Sequence, residues 1–480
     1  MQEYDLIIVG AGPAGSAAAM LAARRGMRCA LLDKAGFPRD KVCGDALSGK
    51  SMRLLDELGF LDPVLQLPGT VIHRVVFSSP DESVLEIDLR RHAELHPPSG
   101  GGTQRMEGKV VPRRTLDEFL LRQAQAAGAV IHEGCTVQEL VFAGTQARRT
   151  CGGSKISGAG SAAPTSGACG PSGAAVAAGA CGPSGAPPTS GACGPSGAAG
   201  ATGGSGAMRS ARIAGVRGTR ADGSPFEFHS RLVLGCDGVT SLVARQSGLH
   251  QRGHRHCRIA ARQYMRDVDG LTDQIELHFT HEVVPGYLWI FPAGEGLANI
   301  GLGLDCVDRK KRAMNPLQTL QEIIGAPRFR HRFRQARAVG RATGGHLPVG
   351  SIRRPCSGQG VLLLGDAAGL VDPFTGEGIG NALISAHLAV DTAAEAIVAD
   401  DASAEFLRLY DQRLWDQLGS ELRTSARLHR LSRCRPLFNW VVRRAAHSRE
   451  LRDLIGAMMA GTESRTQLLH PWFYVRWLAG

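Results

Sequence analysis

Gly10, Gly12 and Gly15 stand at GxGxxG spacing, directly after the apolar run Leu6–Val9 and ahead of an alanine-rich stretch that reaches Arg25. Strand, tight turn and helix in that order make an anion cradle. Gly10 permits the turn, Gly12 lets backbone approach a pyrophosphate, and Gly15 lets the helix lie on the strand, while the helix N-terminus presents N–H groups to the phosphates. A second apolar run, Cys29–Leu32, ends at Asp33, 18 residues beyond Gly15, where a carboxylate accepts from the hydroxyls of an unphosphorylated ribose. That context selects a dinucleotide, FAD or NAD. Far downstream, Tyr287 and Trp289 are two residues apart on an apolar run, so on a strand both rings point to one face, with Leu288 and Ile290 on the other.

The late part of the chain decides between the two dinucleotides. Val361–Leu364 runs into Gly365-Asp366, a Pro-bearing loop, Gly376-Glu377-Gly378-Ile379, and a helix from about Ala382. This resembles the FAD-ribityl motif of the flavoprotein family shared by aromatic hydroxylases, halogenases and geranylgeranyl reductases. The resemblance implies that Asp366 binds a ribityl hydroxyl and that Gly365, Gly378 and Ile379 lie against the flavin. A third landmark matches in order: Leu232–Leu234, then Gly235-Cys236-Asp237-Gly238 with Ser241 and Arg245. The three motifs together imply FAD, with Ala14, Val137 and Asp237 among its contacts. The segment Val110–Asp117 is similar to the family stretch whose arginine reaches the flavin. Arg113 holds that place, four residues before Asp117, and adjacent Arg114 reads as a surface charge.

Two further stretches resemble the geranylgeranyl reductase branch: Pro38–Ala46, with Cys43, Gly44 and Ala46, and Pro285–Gly303, with the Tyr287-Leu-Trp289-Ile-Phe291-Pro292 run and Asn299. In that branch the Cys-Gly loop lies beside the isoalloxazine and the aromatic strand lines a long apolar cavity. Halogenases carry Gly-Trp-x-Trp-x-Ile-Pro at the aromatic stretch, and this chain departs from it twice. Hydroxylases carry a His after the two Ala and a Gln before the glycine, where Gly369 and Glu377 stand here. Ser385-Ala386 replaces the usual Ser-Gly of the following helix.

The implied activity is FAD-dependent saturation of the double bonds of a prenyl lipid, a quinone tail or a prenyl diphosphate. An isolated prenyl double bond is a poor hydride acceptor, so a proton has to be supplied. Cys43 is a candidate proton donor, a shaper of the flavin face, or a small apolar filler; Tyr287 is a competing acid, weak at neutral pH. Tyr287 and Trp289 would stabilise a developing tertiary cation from their π faces. The enzymatic alternative is a flavin-dependent monooxygenase or halogenase; outside catalysis, it is a flavin-stabilised lipid carrier. Without a second GxGxxG, no separate nicotinamide site is expected, and the electron donor stays open between NAD(P)H and a reduced carrier protein. His250, His254, His256 and Cys257 cluster in sequence, but no second ligand pair follows, so no metal site is expected.

The elements that position these residues have to be drawn from 480 residues, enough for about three domain equivalents. The expected fold is α/β: a Rossmann-like FAD-binding domain, a second antiparallel-sheet substrate domain and a C-terminal helical region. The FAD-binding domain is discontinuous, over 1–67, 101–150, 208–254 and 346–395; the substrate sheet takes 68–100 and 255–345, and a helical cap 396–480. Residues 151–207 hold one charged side chain, Lys155, and 17 of the 62 glycines, and repeat Ala-Cys-Gly-Pro-Ser-Gly-Ala from Ala168, Ala180 and Ala192. Such a stretch has little to bury and reads as a disordered insert on a hairpin tip between Thr136–Phe142 and Arg212–Val216. Its cysteines carry no accompanying His or carboxylate.

Twelve scattered cysteines, no signal-like start and no apolar run of 18 residues point to a reduced cytoplasmic protein that does not span a bilayer. The net charge is +11, and residues 421–452 concentrate it, with nine arginines against Glu421 and Glu450. Leu422, Leu428, Leu431, Leu437 and Trp440 interleave there, and Trp472, Phe473, Tyr474 and Trp477 follow around Arg476. This basic amphipathic pattern suits either docking on the anionic inner face of a membrane or helices that cover the flavin domain. No nucleic-acid reading module is present, so no nucleic-acid partner is expected.

Overall fold

The computed structural model describes residues 3–90, 108–144, 211–250, 253, 256–311, 313–460, 465–470 and 472–473. The 151–207 insert, His254, and the terminal residues Tyr474, Arg476 and Trp477 lie outside them. The described parts of 3–143 and 211–473 form one compact unit.

Its first sheet is built on Glu3–Val9, whose Leu6, Ile7 and Ile8 are fully buried because a central parallel strand is covered on both faces. Cys29–Leu32 and then Val130–His132 pair with it in parallel on one side; Pro225–Gly235 and then Val361–Leu363 do so on the other. The helix Pro13–Arg24, with Pro13 at its first turn and Gly12 at its N-cap, packs between the helices Arg113–Ala126 and Ile379–Val398. Gly15 is what lets it sit so close to the strand end, since a Cβ there would lie 1.9 Å from the carbonyl oxygen of Gly10. Ile213–Thr219 pairs antiparallel with Thr136–Phe142, with Phe142 opposite Ile213, so the chain leaves and re-enters this hairpin at adjacent positions.

The second sheet has seven strands, in the order Arg337–Pro348, Cys257–Arg266, Leu297–Asp305, Tyr287–Pro292, Gln274–His278, Arg74–Ser78 and Val84–Asp88. The sequence suggests an antiparallel sheet; one pair, Gln274–His278 with Arg74–Ser78, is parallel. Arg74–Ser78 comes from a distant part of the chain and joins the edge without a hairpin to dictate its direction. The period-2 expectation for the aromatic strand is met. Trp289 and Phe291 face one apolar core, whereas Leu288 and Ile290 face another. A small three-stranded sheet of Ala46–Leu47, Gly108–Val110 and Thr70–Ile72 sits where the Cys43 loop returns.

Three helices follow, Ala404–Leu431, Arg435–His447 and Arg449–Ala460, and then a 3-10 turn, Arg465–Leu469. Their apolar residues turn inward: Leu422 and Leu428 are buried, and Phe438 and Trp440 pack on the core that holds Trp289. Covering therefore accounts for these leucines, and the basic face is what remains outside. Among the described residues Arg423, Arg427 and Arg430 are exposed and have no carboxylate partner, while Arg433 pairs with Asp305 and Asp308, and Arg443 with Asp81. Trp472 is 70% exposed. No helix among the described residues is long and apolar enough to cross a membrane.

Candidate active site

The carboxyl ends of the parallel strands open on one cavity of about 940 Å³, where ligands of doubly wound sheets bind. Its polar end is lined by Gly10, Gly12, Ala14, Asp33, Arg113, Val137, Asp237, Gly365, Asp366, Gly378 and Ile379. Cys43, Gly44 and Ala46 follow, and then Tyr287, Trp289, Phe291, Phe279, Phe374 and Phe438. Of the residues expected to contact the cofactor, Gly15 alone does not line the cavity; it packs helix on strand.

The polar end fits FAD. Gly12 has φ −78°, ψ −173°, and a Cβ there would meet only the guanidinium tips of Arg39 and Arg113, at 3.8 and 3.9 Å, so the space above its backbone is open and positively flanked. Asp33 is held at the end of its strand by the N–H groups of Ala11 (2.8 Å) and Ala35 (2.9 Å). The Asp366 carboxylate accepts no hydrogen bond from any described side chain or backbone group, and burial raises its pKa against the pull of Lys41 and Arg113. A carboxylate left in that state suits hydroxyl donors from a ribityl chain. Ser385 closes the turn behind it, with its hydroxyl accepting from the N–H of Gly365 (3.1 Å). Asp237 lines the cavity and also holds a helix start. Its carboxylate accepts from the Ser241 hydroxyl (2.5 Å) and from the N–H groups of Leu242 (2.6 Å) and Val243 (3.2 Å), so it also caps the helix Leu242–Gln246.

Arg113 is buried and Arg114 exposed, as the spacing to Asp117 suggests. Arg113 donates through Nε and Nη2 to the two oxygens of Asp117 (2.7 and 2.8 Å), and Arg39 adds a third bond from Nη1 (2.8 Å). Burial works against the Arg113 charge, but the Asp117 carboxylate outweighs it and raises its pKa. Burial likewise raises the Cys43 pKa, with Arg113 pulling it back, so the thiol keeps its proton at neutral pH.

The Cys43 loop is tied to the second sheet by Asn299, which stands in the reductase-like stretch, and by Arg262 and Tyr264, which carry no local signal in the sequence. Arg262, 2% exposed, donates to both oxygens of Asp40 (2.9 and 2.7 Å) and lies over the Tyr264 ring. The Tyr264 hydroxyl donates to Asp45. Asn299 donates to Asp45 (2.7 Å) and to the Cys43 carbonyl (2.8 Å), and accepts from the Trp289 indole N–H (2.9 Å). One amide side chain thus joins the thiol loop to the aromatic strand. Gly301, opposite Trp289 in the ladder, leaves room for the indole: a Cβ there would lie 2.2 Å from Trp289 Cζ2.

Asp45 is fully buried, and burial pushes its pKa up to about 6 despite the bonds from Tyr264 and Asn299. In the folded chain it binds a proton up to about pH 6, and in the unfolded chain only to its ordinary 3.8, so stability is lost as pH rises through that window. Asp45→Asn, at a positive φ of 66° that Asn tolerates, removes the titration. The unfolding free energy of the natural chain is expected to fall relative to the variant by roughly 2 kcal/mol between pH 4 and pH 7. Denaturant titrations at the two pH values that shift in parallel would contradict this.

Tyr287 and Trp289 form an aromatic box with Phe279, Phe291, Phe374 and Phe438; Phe279 is 5.4 Å from Tyr287 and 4.7 Å from Phe438, ring centre to ring centre. The Tyr287 hydroxyl, suggested as a competing acid, donates to the Thr375 carbonyl, and burial, followed by Asp372, raises its pKa further. Its proton is committed to the loop, and its ring is what faces the cavity. That loop is also held from below, where Glu377 accepts from the hydroxyls of Ser48 and Ser51.

A family model described as FAD binding domain matches residues 3–152, and one described as geranylgeranyl reductase catalytic domain matches residues 256–342. The chain is 29% identical to digeranylgeranylglycerophospholipid reductase 1 of Methanopyrus kandleri, over 86% of this chain and 86% of that protein. It is 28% identical to the menaquinone reductase of Mycobacterium tuberculosis, over 88% and 83%. Among solved structures, a geranylgeranyl bacteriochlorophyll reductase-like protein of Thermoplasma acidophilum superposes with a TM-score of 0.71 at 20% identity, covering 98% of this chain and 99% of that one. That last likeness speaks for the fold.

Proposed function

We propose that the chain, which is similar to the geranylgeranyl reductase family of FAD-dependent flavoproteins, reduces carbon–carbon double bonds of a geranylgeranyl-type chain carried on a membrane lipid. The observation that carries this reading is the continuity of the cavity, from the Gly12–Asp366 cradle to a box of six aromatic rings, with volume for a hydrocarbon tail beside a flavin. Quinone tails and prenyl diphosphates fit the same chemistry as substrates. A monooxygenase or halogenase reading rests on the fold alone.

Reduced FAD, when bound, supplies a hydride. The side chains do the rest. Cys43, kept protonated by burial, is the proton donor, and the proton goes to the less substituted carbon of the double bond, leaving cation character on the tertiary one. The faces of Tyr287 and Trp289 stabilise that charge, and the aromatic box excludes water that would trap it.

The test is anaerobic incubation of the reduced holoenzyme with digeranylgeranylglycerophospholipid and, separately, with menaquinone, followed by mass spectrometry. Gains of two hydrogens per reduced bond are expected. Oxygen-dependent consumption of NAD(P)H with a hydroxylated product, and no such gains, would overturn the reading. In the same assay Trp289→Leu is expected to lower turnover per bound FAD by roughly 2- to 30-fold, the range of a cation–π contribution of about 0.5–2 kcal/mol. Unchanged turnover would remove the ring from the reaction.

Delivery of such a substrate favours docking at an anionic membrane surface from the cytoplasmic side, through Arg423, Arg427, Arg430 and the exposed Trp472. The holoenzyme is expected to sediment with phosphatidylglycerol vesicles at low salt and to be released as salt shortens the Debye length. Equal sedimentation with neutral and anionic vesicles, or none with either, would argue against this mode. The electron donor, NAD(P)H or a reduced carrier protein, is readable from which of them bleaches the flavin under argon.

A further inference from the structure

The sequence cluster His250, His254, His256 and Cys257 brings no second ligand pair, yet the fold supplies Cys257 with different partners. In the antiparallel ladder Arg258 lies opposite Asp305, so one step outward Cys257 meets Cys306, the first residue of the helix Cys306–Lys311. On its other flank, Ile259 lies opposite His346 of the strand Arg337–Pro348. The two Sγ atoms and one imidazole nitrogen of His346 all lie within 4.8 Å of one another. Tetrahedral zinc, with Zn–S about 2.3 Å and Zn–N about 2.0–2.1 Å, sets its ligand atoms roughly 3.5–3.8 Å apart, so small side-chain rotations close the triad on one ion.

We propose that Cys257, Cys306 and His346 form a zinc site at the corner of the seven-stranded sheet. Three features support this assignment. The donors come from three neighbouring elements whose relative positions are set by ladder hydrogen bonds, so little chain entropy is lost on binding. Two thiols and an imidazole without a carboxylate make a donor set that favours zinc over magnesium, calcium or manganese. Burial is graded, with Cys306 buried, Cys257 partly buried and His346 exposed, so the fourth apex faces solvent and is filled by water. Binding releases the two thiol protons, and the charges of two thiolates and one Zn²⁺ cancel, which allows Cys306 to stay buried as a ligand. The ion would clamp the sheet beside Asp305, whose partners Arg258 and His429 line the cavity.

The FAD-loaded full chain, reduced and then freed of reductant under argon, is titrated with Co²⁺ and with Zn²⁺. One equivalent of Co²⁺ is expected to give tetrahedral ligand-field bands at wavelengths beyond the flavin absorption. Zn²⁺ should bleach those bands, release about two protons per ion and raise the midpoint of thermal unfolding. Cys257→Ser, at a partly buried strand end, should keep its flavin spectrum and lose the cobalt bands, and His346→Ala should weaken binding at least tenfold. The proposal fails if the bands persist in Cys257→Ser. It fails equally if the reduced natural chain takes up no more metal than Cys257→Ser, as would happen if the two thiols served only as a disulfide pair. Peptide mapping after alkylation identifies that outcome.

Discussion

Gly12→Val is expected to yield a folded, colourless protein. The backbone at Gly12 is extended, a conformation valine adopts freely, and a Cβ there would be in ordinary contact with two guanidinium tips, at 3.8 and 3.9 Å. Folding therefore has little to lose. The isopropyl group instead occupies the volume in which a pyrophosphate meets the first N–H groups of the helix Pro13–Arg24, and it also covers those donors. A loss of FAD affinity of at least about 100-fold follows, or roughly 2.7 kcal/mol, and with it all reductase activity. Flavin retention after gel filtration reads this directly, next to circular dichroism as the folding control. A yellow Gly12→Val protein would mean that the cavity binds its cofactor in another way and would remove the basis for every role assigned around it. Gly15→Val is the contrasting variant: its Cβ collides with backbone, so it is expected to lose the fold as well as the flavin.

Arg113→Ala is expected to cost about 3–5 kcal/mol of stability, because it leaves a buried carboxylate short of its partner. Asp117 is 0% exposed and is held by three hydrogen bonds, two of them from Arg113. Arg39 alone supplies one of the three. Lysine should recover little, since it cannot reproduce the two-pronged contact. The neighbouring Arg114→Ala should stay within about 0.5 kcal/mol of the natural chain, as exposed positions without partners usually do. Denaturant midpoints for the pair decide the matter. Equal losses in Arg113→Ala and Arg114→Ala would show that the Arg113–Asp117 pair has no special hold on the helix start. Stability loss in Arg113→Ala without weaker flavin binding would confine the pair to a structural role.

What could be read from the amino-acid sequence and what needed the fold divide along a physical line. The Gly10–Gly15 turn, the Asp33 and Gly365-Asp366 strand ends, and the two-faced strand from Tyr287 to Phe291 are legible because each is decided within about ten residues, by backbone sterics or by the period of two along a strand. The strands Thr136–Phe142 and Ile213–Thr219 that flank the 151–207 stretch were legible in the same way. The joints between segments were not. Asp45 meets Tyr264 and Asn299 across more than 200 residues, Arg262 grips Asp40 over a similar span, and Cys257 finds Cys306 and His346 rather than its sequence neighbours. Each of these depends on ladder register and on which sheet edge lies under which loop. A hydrophobic pattern of period two states which face a residue takes and says nothing of what stands opposite. The basic helices repeat the lesson: their leucines read equally well as a lipid face or a lid, and only tertiary packing turned Leu422 into the core of the first sheet and Leu428 onto the cavity. Local sterics and periodicity thus determined the dinucleotide turn and the two-faced aromatic strand from the chain alone, and the family resemblance placed the Gly365-Asp366 loop beside them. Long-range register, which no local pattern encodes, decided how the thiol loop, the aromatic strand and the helical cover came together around one cavity.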